Sequence, residues 1–265
     1  MNYELLTSVM RELAIEAGNE IIKIYNSEDF DIEVKSDNSL VTAADKAADE
    51  VISVGLCTAF PDVALVTEEQ SASHSTCAEA FLIVDPLDGT KEFIHRRGDF
   101  TVNIAFIENG VPTRGIVYAP AKGHLFYTQA DGSSVEELSG FSNSQATKLT
   151  PIRVKAADND SLLVVASKSH RDNETDAYIQ KYSVSDMKSV GSSLKFCLIA
   201  AGRADLYPRL GRTMEWDTAA GHAVLKGAGG AVVRFDDLQP LAYGKPGYEN
   251  PFFIAHGHGV ALKAN

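Results

Sequence analysis

The chain has 265 residues, of which 45% are hydrophobic and 23% charged, and it carries a formal net charge of -12. That is enough apolar material for one large core or two modest ones, and the charged fraction is ordinary for a globular protein. The acidic balance argues against coating nucleic acid or an anionic membrane surface, because like charges repel. No apolar run approaches the ~18 residues of a membrane span, and the start, Met1-Asn2-Tyr3-Glu4, lacks the basic and apolar regions of a secretory signal. Three cysteines, Cys57, Cys77 and Cys197, show no metal-ligand spacing and suit a reducing compartment. The expectation is a cytoplasmic protein; a peripheral association with the inner face of the cell membrane is left open, as is the oligomeric state.

Leu6, Val9, Met10, Leu13, Ala17, Ile21 and Ile24 recur at helical spacing and predict a first helix. The polar stretch Lys35-Ser36-Asp37-Asn38-Ser39 reads as a loop. Thr42 with Asp45 three residues on forms a capping box that opens a second helix through Val51 and Leu56. Val63–Val66 and Phe81–Val84 are strand-like runs that each end in acidic residues. From Thr101 to Thr128 the pattern is a β-meander, turned at Glu108-Asn109-Gly110 and closed at Asp131-Gly132. Residues 139–160 are rich in Ser, Asn, Thr and Asp, and a domain boundary is expected near residue 155.

Beyond it the grammar changes. Leu162–Val165 reads as a strand buried on both faces, and a helix is predicted over Glu174–Lys181. Ser192 or Ser193 caps a helix that runs through Ala201 and stops at Gly202. Ala204–Tyr207 reads as a strand and Asp217–Leu225 as a helix, followed by strands at Val232–Phe235 and Phe252–Ile254. Residues 1–155 therefore read as helices on an antiparallel sheet, and residues 156–265 as alternating α and β.

Val84-Asp85-Pro86-Leu87-Asp88-Gly89-Thr90 is the chemically informative segment. Asp85 ends a strand, Pro86 turns the chain, and Gly89 permits a backbone that other residues resist. Asp85 and Asp88 can thus converge on one hard cation, with the Leu87 carbonyl as a further oxygen ligand. Read locally, the same residues also describe a simple turn. Glu68-Glu69 reads either as a solvated acidic loop or, if the two strands are neighbours, as a partner for Asp85 and Asp88. Carboxylates so crowded need cations. Asp217, after Trp216, reads as an N-cap, as a carboxylate from the second domain, or as both. Asp45 has its capping role, and it is also a candidate to hold the Thr90 hydroxyl, which would then orient or deprotonate a metal-activated water.

Taken in order, Asp45, Glu68-Glu69, Asp85-Pro86-Leu87-Asp88-Gly89-Thr90 and Trp216-Asp217 resemble the lithium-sensitive, magnesium-dependent phosphatase superfamily. That superfamily includes inositol monophosphatase, fructose-1,6-bisphosphatase and the 3′(2′),5′-bisphosphate nucleotidases. The resemblance implies a layered αβαβα sandwich, an antiparallel-sheet domain followed by a smaller mixed-sheet domain. Lys91-Glu92-Phe93, Gly98-Asp99-Phe100-Thr101-Val102-Asn103-Ile104-Ala105, Gly191-Ser192-Ser193-Leu194-Lys195-Phe196-Cys197 and Leu206-Tyr207-Pro208-Arg209 are similar to the bacterial CysQ-type nucleotidase branch.

That branch implies hydrolysis of adenosine 3′,5′-bisphosphate to AMP and phosphate, a clearing step in sulfate assimilation. It implies two or three Mg2+ ions on Glu68, Asp85, Leu87, Asp88 and Asp217, with Li+ as an inhibitor. Asp45, Glu68 and Thr90 would activate water; Gly89, Thr90, His170, Ser192, Lys195, Arg209 and Asp217 would contact a small nucleotide substrate. Two alternatives remain open at this point: an inositol or broad sugar-phosphate phosphatase on the same scaffold, and a non-catalytic phosphate or metal sensor.

Overall fold

The computed structural model describes residues 1–27, 32–34, 40–138, 148–167 and 172–263. The Lys35–Ser39 loop and His170 lie outside the described residues.

Helix α1 (Tyr3–Tyr25) starts where the Asn2 side chain accepts from the Leu5 N–H. It buries Leu6, Met10, Leu13, Ala17 and Ile21 on the stripe that the periodicity predicts. Strands β1 (Ile32–Val34) and β2 (Leu40–Thr42) form a separate antiparallel pair. Helix α2 (Ala43–Ala59) opens on the expected capping box: the Thr42 side chain accepts from the helix backbone, and Asp45 accepts from the Thr42 N–H at 2.7 Å.

A seven-stranded sheet follows, ordered β3-β4-β5-β6-β7-β8-β9. Its strands are Ala64–Thr67, Ala80–Asp88, Thr101–Glu108, Val111–Ala119, His124–Thr128, Ser134–Leu138 and Leu149–Pro151. It is antiparallel throughout except that β3 runs parallel to β4, pairing Thr67 with Val84. The short helix α3 (Thr90–Ile94) follows β4.

The second sheet is mixed, with order β11-β10-β12-β14-β13. It is built from β10 (Leu162–Ser167), β11 (Val184–Val190), β12 (Leu206–Arg209), β13 (Ala231–Arg234) and β14 (Phe253–His256), with helices α4 (Asn173–Ile179), α5 (Leu194–Ala200) and α6 (Ala219–Gly227). Three of these elements begin later than the sequence suggests. Helix α6 starts two residues past Asp217, because its N-cap is Thr218. Strand β12 starts at Leu206, and Asp205 just before it bonds to Leu163 through both its N–H and its carboxylate. Strand β14 begins at Phe253 and pairs with β12 through His256.

Alternation within the sheets sorts their side chains into layers. Leu82, Val84, Ile104, Phe106 and Tyr118 face α1 and α2, whereas Phe81, Ile83, Ala105, Ile107 and Val117 face α5 and α6. Those two helices also pack on Val165, Tyr207, Val232, Phe253 and Ala255 of the second sheet. Leu162, Val164, Leu206 and Ile254 close against Tyr178 and Ile179 of α4. The result is the expected five-layer αβαβα sandwich. Its middle helix layer shares a single apolar cluster with both sheets, so the chain before residue 155 and the chain after it bury surface against each other.

Candidate active site

The parallel pairing of β3 and β4 places their C-terminal ends side by side, and the Glu68 N–H donates to the Val84 carbonyl at 3.1 Å. Strand β4 does not turn at Pro86 but continues to Asp88, with a bulge between Asp85 and Asp88. The reason is that a bulge tolerates a proline that has no ladder N–H to give. The extra residue also has a geometric effect: positions three apart on a regular strand face opposite ways, and the bulge shifts that phase. Asp85 then caps the kink, its Oδ1 accepting from the Leu87 N–H at 3.1 Å. Gly89 follows at φ 95°, the left-handed region, and opens α3 at Thr90.

Carboxylate oxygens of Glu68, Asp85 and Asp217 lie within 4.8 Å of one another, the one such group of possible metal ligands among the described residues. Asp217 does not cap α6. Its Oδ2 accepts from the Met214 N–H at 2.8 Å, which turns the loop back and aims the carboxylate into the cluster. Burial, then Glu68, Asp88 and Asp217, push the Asp85 carboxyl well above its ordinary range. Burial, then Asp88 and Glu68, do the same to Asp217. Asp88 is pushed up to about 6 by burial, against the opposing pull of Lys195 and of hydrogen bonds from Ser193 and Asn103.

The other expected residues fall around this cluster. The Thr90 hydroxyl donates to Asp45 Oδ1 at 3.3 Å and lies 3.4 Å from the Leu87 carbonyl. Asp45 thus caps α2 with one oxygen and holds Thr90 with the other. Lys195 is buried: its ammonium donates to the Val190 carbonyl at 3.2 Å and to that of Ser192, and burial lowers its pKa to about 8. Arg209 is also buried, donating to the Arg212 carbonyl at 2.9 Å and pulling on Asp217. Ser192 adopts φ 50°, and its hydroxyl is buried without a hydrogen-bond partner among the described residues.

Two residues that the sequence does not single out for the site, Ser193 and Asn103, hold Asp88, and Thr101 backs them. The Ser193 N–H donates to Asp88 Oδ2 at 2.6 Å, and Asn103 Nδ2 lies 3.4 Å from the same oxygen. Ser193 Oγ in turn meets Asn103 Oδ1 at 2.7 Å and the Thr101 hydroxyl at 2.9 Å. Asn103 and Thr101 sit on β5, whose pairing opposite Asp85 and Asp88 is the signal that would have found them.

The inositol monophosphatase family model matches residues 2–261. The chain belongs to the inositol monophosphatase family. Among its family relatives, the 3′(2′),5′-bisphosphate nucleotidase CysQ of Escherichia coli (strain K12) is 44% identical over 246 residues, covering 91% of this chain and 96% of that protein. The crystal structure of CysQ from Bacteroides thetaiotaomicron superposes with a TM-score of 0.84 at 36% identity, covering 96% of this chain and 98% of the other. The inositol monophosphatase of Anabaena superposes with a TM-score of 0.75 at 25% identity, covering 98% and 93%. A metal requirement is typical of the family, and the oxygen donors converging here suit a hard divalent cation. No helix among the described residues is long and apolar enough to cross a membrane.

Proposed function

We propose that this chain is a Mg2+-dependent phosphomonoesterase that hydrolyses adenosine 3′,5′-bisphosphate to AMP and phosphate, a clearing step in sulfate assimilation. The observation that carries the chemistry is the convergence of Glu68, Asp85 and Asp217 beside the Thr90–Asp45 pair. The likeness to CysQ nucleotidases over most of the chain supports the choice of substrate.

The converging carboxylates fit a cation because desolvation and mutual repulsion both disfavour the charged forms of Asp85 and Asp217. Glu68, Asp85, the Leu87 carbonyl, Asp88 and Asp217 would hold two or three Mg2+ ions. When bound, these supply Lewis-acid stabilisation of the phosphoryl charge and lower the pKa of water.

The chain's own groups do the rest. Thr90 donates a hydrogen bond to Asp45, so its oxygen lone pairs are left to orient the attacking water, with Glu68 assisting. As the new P–O bond forms and the P–O bond to the ribose breaks, one water proton passes to Thr90 Oγ while the Thr90 proton passes to Asp45, and the departing ribose oxygen takes a proton from solvent. We assign the Gly89 and Thr90 N–H groups to the phosphoryl oxygens. Two of the three Lys195 ammonium donors are engaged by carbonyls, and we assign the third to a substrate phosphate together with Ser192 and Arg209. The site so proposed draws residues from both 1–155 and 156–265. His170 is the remaining proposed nucleotide contact.

Phosphate release from adenosine 3′,5′-bisphosphate and from inositol 1-phosphate, with and without Mg2+, tests this reading. The nucleotide should have the higher kcat/KM, and Asp88→Asn should lose at least ~100-fold, about 2.7 kcal/mol of transition-state stabilisation. Equal turnover with and without Mg2+ would overturn the mechanism. A preference for the inositol ester would overturn the substrate but leave the mechanism standing.

A further inference from the structure

Glu68 and Asp217 reach the site from distant parts of the chain, one at the end of β3 and the other before α6. Each is preceded by a residue that touches the same side chain. His74 Nε2 lies 2.9 Å from the carbonyl oxygen of Thr67, the residue before Glu68. A carbonyl only accepts, so this ring nitrogen is the donor. The His74 ring stacks on Trp216, the residue before Asp217, with centroids 4.8 Å apart and planes at 26°.

The segment that carries His74 is itself pinned. It is a 3-10 turn, Ser71–Ser75, between β3 and β4. Ser73 Oγ accepts from the Thr67 N–H at 3.1 Å and donates to the Gln70 carbonyl at 2.7 Å. The Tyr248 hydroxyl donates to the Thr76 carbonyl at 2.5 Å, and the Tyr248 and Trp216 rings lie 6.1 Å apart.

We propose that His74 is a positioning residue that ties the Glu68 strand end to the Asp217 loop and thereby sets the divalent-cation affinity of the site. The inference rests on the reading of that site given above. Carboxylates crowded together push their segments apart until a cation arrives, and a link between the two segments resists that spreading before binding. The link needs a flat ring for Trp216 and an N–H for the Thr67 carbonyl at once. Phenylalanine keeps only the first, and glutamine keeps only the second.

The test is Mn2+ binding to the substrate-free 265-residue chain by isothermal titration calorimetry, with thermal midpoints measured alongside. His74→Ala is expected to weaken Mn2+ binding roughly 10-fold, the scale found when groups that orient metal ligands are removed. His74→Phe and His74→Gln should each recover part of that loss, and they carry the test if the alanine variant fails to fold. A lowered thermal midpoint with Mn2+ affinity within twofold of wild type in all three variants would overturn the inference and leave the phosphatase reading intact. Failure of the wild-type chain to bind Mn2+ would overturn both.

Discussion

Gly191 sits where the loop before α5 crosses the Gly98–Phe100 segment. A Cβ placed on it would lie 2.7 Å from the Asp99 carbonyl oxygen, 2.8 Å from Glu92 Cγ and 2.9 Å from Asp99 Cβ. Real Cβ atoms do not approach so closely, so Gly191→Ala must move the loop. Two residues later the Ser193 N–H holds Asp88, and Ser192 gives its carbonyl to Lys195. Overpacking of this kind costs about 1–3 kcal/mol, which at about 2–4 °C per kcal/mol is a measurable fall in thermal midpoint. The displacement also reaches Asp88, so kcat/KM is expected to fall by ~100-fold, the effect of a roughly 1 Å misplacement. Differential scanning fluorimetry and phosphate release on the same preparation check the two effects together. Unchanged turnover would show that the 190–195 loop does not position Asp88.

The loop carrying Asp217 is held from behind by the chain around Gly244–Asn250. Glu215, fully buried, accepts the Gly244 N–H at 2.7 Å, the Lys245 N–H at 3.0 Å and the Lys245 ammonium at 2.5 Å. Asn250 Nδ2 donates to the Met214 carbonyl at 2.8 Å and to Thr218 Oγ1 at 3.0 Å. Glu215→Ala strands the two N–H groups and takes the carboxylate from an ammonium that keeps the Ala242 carbonyl and Asn250 Oδ1, a loss of roughly 3 kcal/mol, whereas Glu215→Gln keeps an acceptor and should lose less. Urea denaturation midpoints at constant m-value measure the difference, and equal losses would show that packing rather than these bonds holds the loop.

How much of this the sequence discloses depends on whether a signal is local. The α2 capping box and the strand ends that deliver Glu68 and Asp85 are patterns a few residues long, so they are readable. Strand β11 is not, because Val184-Ser185-Asp186-Met187-Lys188-Ser189-Val190 is an exposed edge with little apolar alternation. Strand β8 hides for another reason. Its buried Glu136 and Glu137 look like solvated charges until Arg203 and Arg11 are brought to them from elsewhere in the chain. The same holds for Asn103 against Asp88 and for His74 against Trp216, which only the tertiary fold makes neighbours.

At the scale of the whole molecule, an already acidic chain crowds carboxylates, Asp85 buried and the others half-buried, where its two sheets' helices and loops meet, and this ties its stability to both protons and cations. Burial and mutual repulsion raise Asp85 and Asp217 above the ordinary value of 3.8, and burial raises Asp88 to about 6. Between those values the folded, cation-free chain keeps protons that the unfolded chain has released. The folded state then binds more protons, so raising the pH through this window from below costs stability. A divalent cation reverses that cost but must displace the protons to do so. Mg2+ at about 100 times its Kd adds ~2.7 kcal/mol at neutral pH, or roughly 5–10 °C in thermal midpoint. One pH unit below 6, competition at Asp88 alone removes about 1.4 kcal/mol of that gain. Thermal midpoints in Mg2+ and in EDTA, compared at pH 5 and pH 7.5, isolate the effect, because every other titrating group contributes to both members of each pair. The Mg2+ increment is expected to be larger at pH 7.5 and to shrink in Asp88→Asn. An increment that is the same at both pH values would mean that the stabilising ion binds away from these carboxylates.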